Sequence, residues 1–498
     1  MANNFKEYNI SQRFFVEKML DLYYEYVIDS YRVRVHNPIS LLEECNNLIE
    51  DWNSDKIKRF DTLRQAFHEL ILLLKNDFDD TVDYGFPEKN IFINNLECLT
   101  KCDDKSISIN CLYEVGYQIG YLLSINKDYI NHLISKIENL LSFDRTDIAS
   151  CIPHFDKLSM NASFLATELI RKGYSKVKIY QLFSRTFKSS KKERTFEENW
   201  TYIKDELLKN NGRVFCVVFK FNVMPLSDYS ILLSNFVDTA ILSDPIGSSK
   251  IDAFIKGDTS IRFKTFQIEA LDFYQAIQKA RESLSGFLDI LHLAFENVQI
   301  TIHQDVLVVD QEKKEKARIQ KINFLIDGGY IEKENIYDSL TSSVNVILEN
   351  TYITNEVKAK IKSAIRYLRM GNEALELEQK YISYWIALEH IFSINQKDSS
   401  TITRMLEHLT KTQVIYYLKR NIQYIHTDLK KKLPESILTR KFPFIQDNLG
   451  YFIDDDLLKK ISENIRYTPL LSYKVNKIKS ALYSSDKTKE YIKNTKIM

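Results

Sequence analysis

Turn-forming residues are scarce in this chain. Its 498 residues include only 12 Gly and 8 Pro, well below ordinary usage, so turns are few and long helices are expected. No apolar run reaches the ~18 residues that argue for a membrane span. The first residues, MANNFKEYNISQRFF, are polar and lack the apolar core of a secretory signal. A cytoplasmic location with reduced thiols is therefore expected. The six cysteines, Cys45, Cys98, Cys102, Cys111, Cys151 and Cys216, are read first as buried thiols. A zinc site could be assembled from Cys98, Cys102, Cys111 and the distant His154, but that spacing fits no common finger. SDPIGSSK holds a single Gly and lacks both the glycine spacing and the Lys-Ser/Thr ending of a phosphate loop. Neither metal nor cofactor is expected.

An excess of one charge is also missing. The formal net charge is +1, so the chain as a whole carries no nucleic-acid footprint. The distribution is uneven. Residues 401–498 hold 19 Lys and Arg against 10 Asp and Glu, a net of +9, which leaves the preceding 400 residues near −8. A basic C-terminal part can attract phosphate backbones; a solvated helical surface rich in Lys reads the same way.

What is present is mostly helical periodicity, in a chain long enough for two to four domains. SQRFFVEKMLDLYYEYVIDSY and DTLRQAFHELILLLKN place apolar residues at spacings of three and four. CLYEVGYQIGYLLSINKDYINHLISKIENLLSF continues the pattern, and its Tyr and Leu stripe is read as a core face, with a ligand groove as the alternative. A helix ending at Gly173 follows, with the glycine as its cap. RVFCVVFKFNV, residues 213–223, is β-branched and aromatic and reads as a strand; VQITIHQDVLVVD, residues 298–310, gives one or two more. The expected fold is mainly α with a mixed α/β middle domain: a helical part over 1–154, a mixed part over 155–345, and a helical bundle over 346–498. Pro469 suits the first turn of the last clear helix.

One stretch carries candidate chemistry. In YYLKRNIQYIHTDLKKK, Arg420, Asn421 and His426 spell R-N-x4-H. On a helix, six positions turn Arg420 and His426 about 120° apart with ~9 Å of rise, and two long side chains can still flank one phosphate. A His can move a proton near neutral pH, and an Arg can hold a phosphate and its developing charge. The plainer reading is a solvent-facing helix. Arg32, Arg34 and His36 form a second, weaker basic cluster, read as a loop leaving a helix. Asp454, Asp455 and Asp456 are read as acids at a helix start rather than ion ligands.

YISYWIALEHIF, residues 381–392, resembles the first core helix of Apea-like HEPN domains, with its Trp-x-x-Leu-Glu pattern. AIRYLRMGNEALELEQKYISYWIALE resembles the segment preceding it, and TPLLSYKVNKIKSALY, residues 468–483, resembles the family's Pro-Leu-Leu-x-Tyr helix. The resemblance covers roughly residues 350–498. It implies a helical bundle, many of whose relatives are metal-independent ribonucleases of antiviral defence, toxin–antitoxin and abortive-infection systems. Their motif is Arg-x4–6-His, two protomers commonly share one site, and Glu389 matches an acid that orients the Arg or His. In the family the catalytic helix follows the Pro-Leu-Leu segment. Here Arg420 and His426 precede it, and 15 residues follow Tyr483.

The resemblance therefore implies a bundle that stops before its catalytic helix, with an apolar groove around residues 470–498 open to a homodimer or another chain. Two functions remain. One is a defence protein that binds RNA or a partner with an incomplete ribonuclease site. The other is an active metal-independent endoribonuclease using Arg420, Asn421, His426 and Glu389. Spacing places Trp385 and Leu388 in the core of the bundle, with Tyr381 and Phe392 on or near the same face.

Overall fold

The computed structural model describes residues 8–23, 36–76, 89–101, 108–143, 151–188, 194–208, 211–224, 236, 254–255, 261–294, 299–312, 317–321, 342, 344–374, 377–392, 404–409, 411 and 469–483. These are mostly helical, with one small antiparallel sheet of four strands. Two compact units divide the chain: residues 1–210 with 419–498, and residues 211–418. None of the described helices is long and apolar enough to cross a membrane. The units follow contacts, whereas the changes of texture near 155 and 346 follow residue type.

The first unit opens with α1 (Ile10–Tyr23), α2 (Pro38–Asn53), α3 (Asp61–Asn76), α4 (Lys89–Lys101) and α5 (Ile109–Ile125). α6 (Tyr129–Leu141), α7 (Ile152–Arg171), α8 (Lys176–Lys188) and α9 (Phe196–Leu208) complete its run of helices. Local chemistry sets several boundaries. Asn37 and Ser40 exchange side-chain-to-backbone bonds at the start of α2, and Pro38 fills the first turn, where its missing N–H costs nothing. Gly173 ends α7 at φ 101°, a left-handed value that favours glycine. The Tyr174 amide then donates to the Leu169 carbonyl. Inside, Phe14 stacks on Phe155 at 4.3 Å and Phe15 meets Trp200 edge-on at 5.2 Å. Glu168, fully buried on α7, accepts from Asn37 Nδ2 at 3.0 Å and from Arg171 Nε and Nη2 at 2.9 and 2.8 Å. A buried carboxylate survives only with such partners, and this one ties the start of α2 to α7.

In the second unit, β1 (Arg213–Met224), β2 (Ile261–Ala270), β3 (Gln299–Asp310) and β4 (Ala317–Lys321) pair in the order β2-β1-β3-β4. α10 (Phe273–Ala294) covers one face, where Phe215, Val217, Phe219 and Phe221 meet Ala276, Ala280, Leu284 and Leu288. Val218, Phe263 and Leu307 build a smaller core with Phe254 on the other face. Apolar groups on both sides of β1 explain why its sequence alternates only in part. α11 (Asn355–Glu373) and α12 (Leu377–Phe392) form a helical hairpin.

The last described helix in the chain, α13 (Pro469–Tyr483), belongs to the first unit. Leu470 and Leu471 are buried, and the Tyr473 ring meets Phe14 edge-on at 5.2 Å. The Leu470 amide donates to Glu17 at 3.0 Å, Lys474 pairs with Asp21 at 2.7 Å, and the Tyr473 hydroxyl donates to Asp156. The groove expected around 470–498 is therefore already filled over 469–473, by α1 and α7. Residues 484–498 lie outside the described residues.

Candidate functional site

Arg420, Asn421 and His426 lie outside the described residues, as do Arg32, Arg34, Cys102 and Asp454–Asp456. Glu389 is described. It sits exposed on α12 and accepts a hydrogen bond from Trp385 Nε1 at 2.9 Å, one turn back.

The helices carrying Glu389 meet through small side chains. Ala364 and Gly371 of α11 are buried, as are Ser383 and Ala387 of α12. A Cβ at Gly371 would stand 2.5 Å from the Tyr384 ring, so glycine is what lets that ring lie against α11. Tyr384 Oη then donates to Asn372 Oδ1 at 2.6 Å, and Tyr367 stacks on His390 at 5.5 Å. This seam displaces the expected one. Trp385, Leu388 and Phe392 are half-buried, and Tyr381 is 67 % exposed. The buried edge is instead Lys380–Ser383–Ala387, because short side chains let two helix backbones approach closely.

Cations dominate the outside of this hairpin. Lys358, Lys362, Arg366 and Arg369 fall within about 80° of one another on α11, and all but the half-buried Lys358 are exposed. Exposed apolar side chains, Val357, Ile365 and Leu368, run beside them. Like charges four residues apart weaken a helix by a few tenths of a kcal/mol per pair, a cost that an anionic ligand removes. Lys380 adds a cation that is only 6 % exposed. Burial lowers its pKa, and nearby Arg281 of α10 lowers it further.

A second cluster lies on the sheet, where β3 bulges between the partners of Phe219 and Phe221. Asn222 Oδ1 and His303 Nε2 are buried there without a hydrogen-bond partner. Burial depresses the His303 pKa, Lys220 depresses it further, and Asp305 opposes both. Bulges often re-aim side chains beside functional sites. In the sequence this His stood inside an ordinary strand pattern, and only the bulge distinguishes it.

Other candidates resolve into structure. Cys98 is exposed, Cys111 lies 3.8 Å from the Asn95 carbonyl, and His154 stacks on Phe143 at 4.2 Å. Among the described residues no group of His, Cys, Asp and Glu could hold a metal ion. His154 Nε2 lies 3.1 Å from Ser11 Oγ, but Ser11 is fully buried and also donates to the Phe143 carbonyl at 2.7 Å, so the pair fastens α1 to α7 and to the chain just after α6. His36 meets Glu44 at 2.7 Å beside the start of α2. Compared with known proteins, the chain matches no family model, no curated protein and no solved structure.

Proposed function

We propose that this chain is a defence protein of the HEPN-containing, abortive-infection kind, and that it binds single-stranded RNA along the α11–α12 hairpin without cleaving it. The observation that carries this reading is the row Lys358, Lys362, Arg366 and Arg369 on one side of α11. Such a row tracks a phosphate backbone, and exposed aromatic side chains such as Tyr381 offer faces on which bases stack.

The test is fluorescence anisotropy with a labelled single-stranded RNA across a salt series. The triple change Lys362→Glu, Arg366→Glu and Arg369→Glu is expected to weaken binding at least tenfold. It should also flatten the plot of log affinity against log salt by about 2, at ~0.7 per phosphate contact on a single strand. Unchanged affinity in the triple variant sinks the reading.

A second reading has one observation in its favour: Trp385 holds the Glu389 carboxylate in a fixed position, as an acid orienting a catalytic Arg or His must be held. In that case the protein cleaves RNA in EDTA, and Arg420→Ala and His426→Ala each abolish cleavage. RNA that stays intact after long incubation supports binding alone.

A further inference from the structure

α5 turns an unusual side to solvent. Its inner face, Leu112, Val115, Ile119 and Leu122, is buried. Its outer face carries Ile109, Tyr113, Tyr117, Tyr121 and Ile125, exposed by 64, 60, 79, 44 and 38 %. Spacing alone assigns the whole Tyr and Leu stripe to the core; the structure leaves the tyrosines outside. The five residues recur at every fourth position. They form one continuous ridge of the kind that fits between the ridges of a second helix crossing at about −50°.

Three features of this ridge specify what covers it. The first is charge. Of the nine exposed positions from 109 to 125, only Glu114 is charged, in a chain where 27 % of residues are charged. Neither an RNA backbone nor a charged protein surface finds a complement there. The second is symmetry. The ridge reads Ile-Tyr-Tyr-Tyr-Ile in both directions about Tyr117. In a two-fold pair residue i meets j while j meets i, so in an antiparallel register this ridge sets like side chains against like along its length. Laid antiparallel on a second copy, Tyr117 falls beside its own equivalent, Tyr113 beside Tyr121, and Ile109 at the rim near Ile125.

In this register the two Glu114 side chains lie on one flank of the pair, ~9 Å apart along the helix. The third feature is area. The five side chains expose roughly 500 Å2 on each copy, taking about 200 Å2 for a whole aromatic side chain. A pair then buries roughly 1,000 Å2, at the lower edge of specific interfaces.

We propose that α5 is the docking surface for a second copy of this chain, in an antiparallel two-fold pair centred on Tyr117. The pair is weak and reversible, with tyrosines at its centre and isoleucines at its rim. It is independent of RNA binding, and either can fail without the other.

Sedimentation velocity of the full chain at rising concentration tests it. A monomer–dimer equilibrium is expected. Tyr117→Arg should weaken it more than tenfold with unchanged far-UV circular dichroism, since that side chain is mostly solvent-exposed, and Tyr117→Phe should leave it intact. A chain that stays monomeric up to ~100 μM, or a dimer indifferent to Tyr117→Arg, would overturn the proposal.

Discussion

Where α13 meets α1 and α7, large side chains close over one another. Phe14, Phe155 and Tyr473 stack and cross, Leu471 is fully buried, and Glu17, Asp21 and Asp156 each hold a group of α13. Where α11 meets α12, the seam is made of Ala364, Gly371, Ser383 and Ala387. Small residues bring backbones together but remove little apolar area from water. The first contact therefore buries Leu470 and Leu471 of its helix. The second leaves Leu368, Tyr381, Ile382 and Ile391 exposed beside a row of cations. One helix is locked into a core, while the other leaves apolar side chains exposed beside Lys362, Arg366 and Arg369.

The largest effect that separates these contacts is expected at Leu471. Leu471→Ala deletes fully buried atoms and should cost about 3 kcal/mol, read by urea unfolding of the full chain. Trp385→Ala removes more atoms, but from a half-buried site that solvent can refill without a sealed cavity, and should cost about 2 kcal/mol. A Trp385→Ala loss exceeding that of Leu471→Ala would break the comparison.

A smaller effect depends on pH. Burial holds the His154 imidazole below its ordinary value of 6.5, a bond to the Leu140 backbone opposes this, and Lys157 adds to the lowering. The folded state thus favours the neutral ring. As pH falls through about 6.5 the unfolded chain takes up the proton more readily, so this stability is complete above that value and drains away below it. His154→Gln should flatten the fall in melting temperature between about pH 7.5 and 5.5. An unchanged slope would place the pH dependence elsewhere.

The smallest effect sharpens the contrast from the other side. Tyr381→Ala, at a mostly exposed position, should change stability by less than about 0.5 kcal/mol. RNA affinity, measured by anisotropy, should nevertheless fall severalfold. Loss of stability without loss of affinity would make Tyr381 a packing residue.

Much of the local structure was legible in residue order. The β-branched, aromatic run at 213–223 lies in β1, Gly173 caps α7 and Pro469 opens α13. Each rests on steric limits that operate over a few residues. The candidate site was less legible. The cations of α11 were visible as letters, but the charge was sought in residues 401–498, because a sum over a window ignores which side of a helix each residue takes. Lys380, only 6 % exposed, looked like any surface lysine. His303 matters only because β3 bulges beside Asn222 and Lys220, and a bulge is a property of two strands paired across some 80 residues.

Sequence by itself determined which segments become helix or strand and where several of them stop, since caps, turns and periodicity are short-range chemistry. Only the tertiary structure decided which side of each helix meets water. α5 shows the division plainly: its spacing announces an amphipathic helix, yet Leu112, Val115 and Ile119 are inside while Tyr113, Tyr117 and Tyr121 are outside. α13 shows it at longer range, for the Leu470 amide finds its acceptor in Glu17, 453 residues earlier. Burial is a relation between surfaces brought together by the whole fold, and no local pattern contains the second surface.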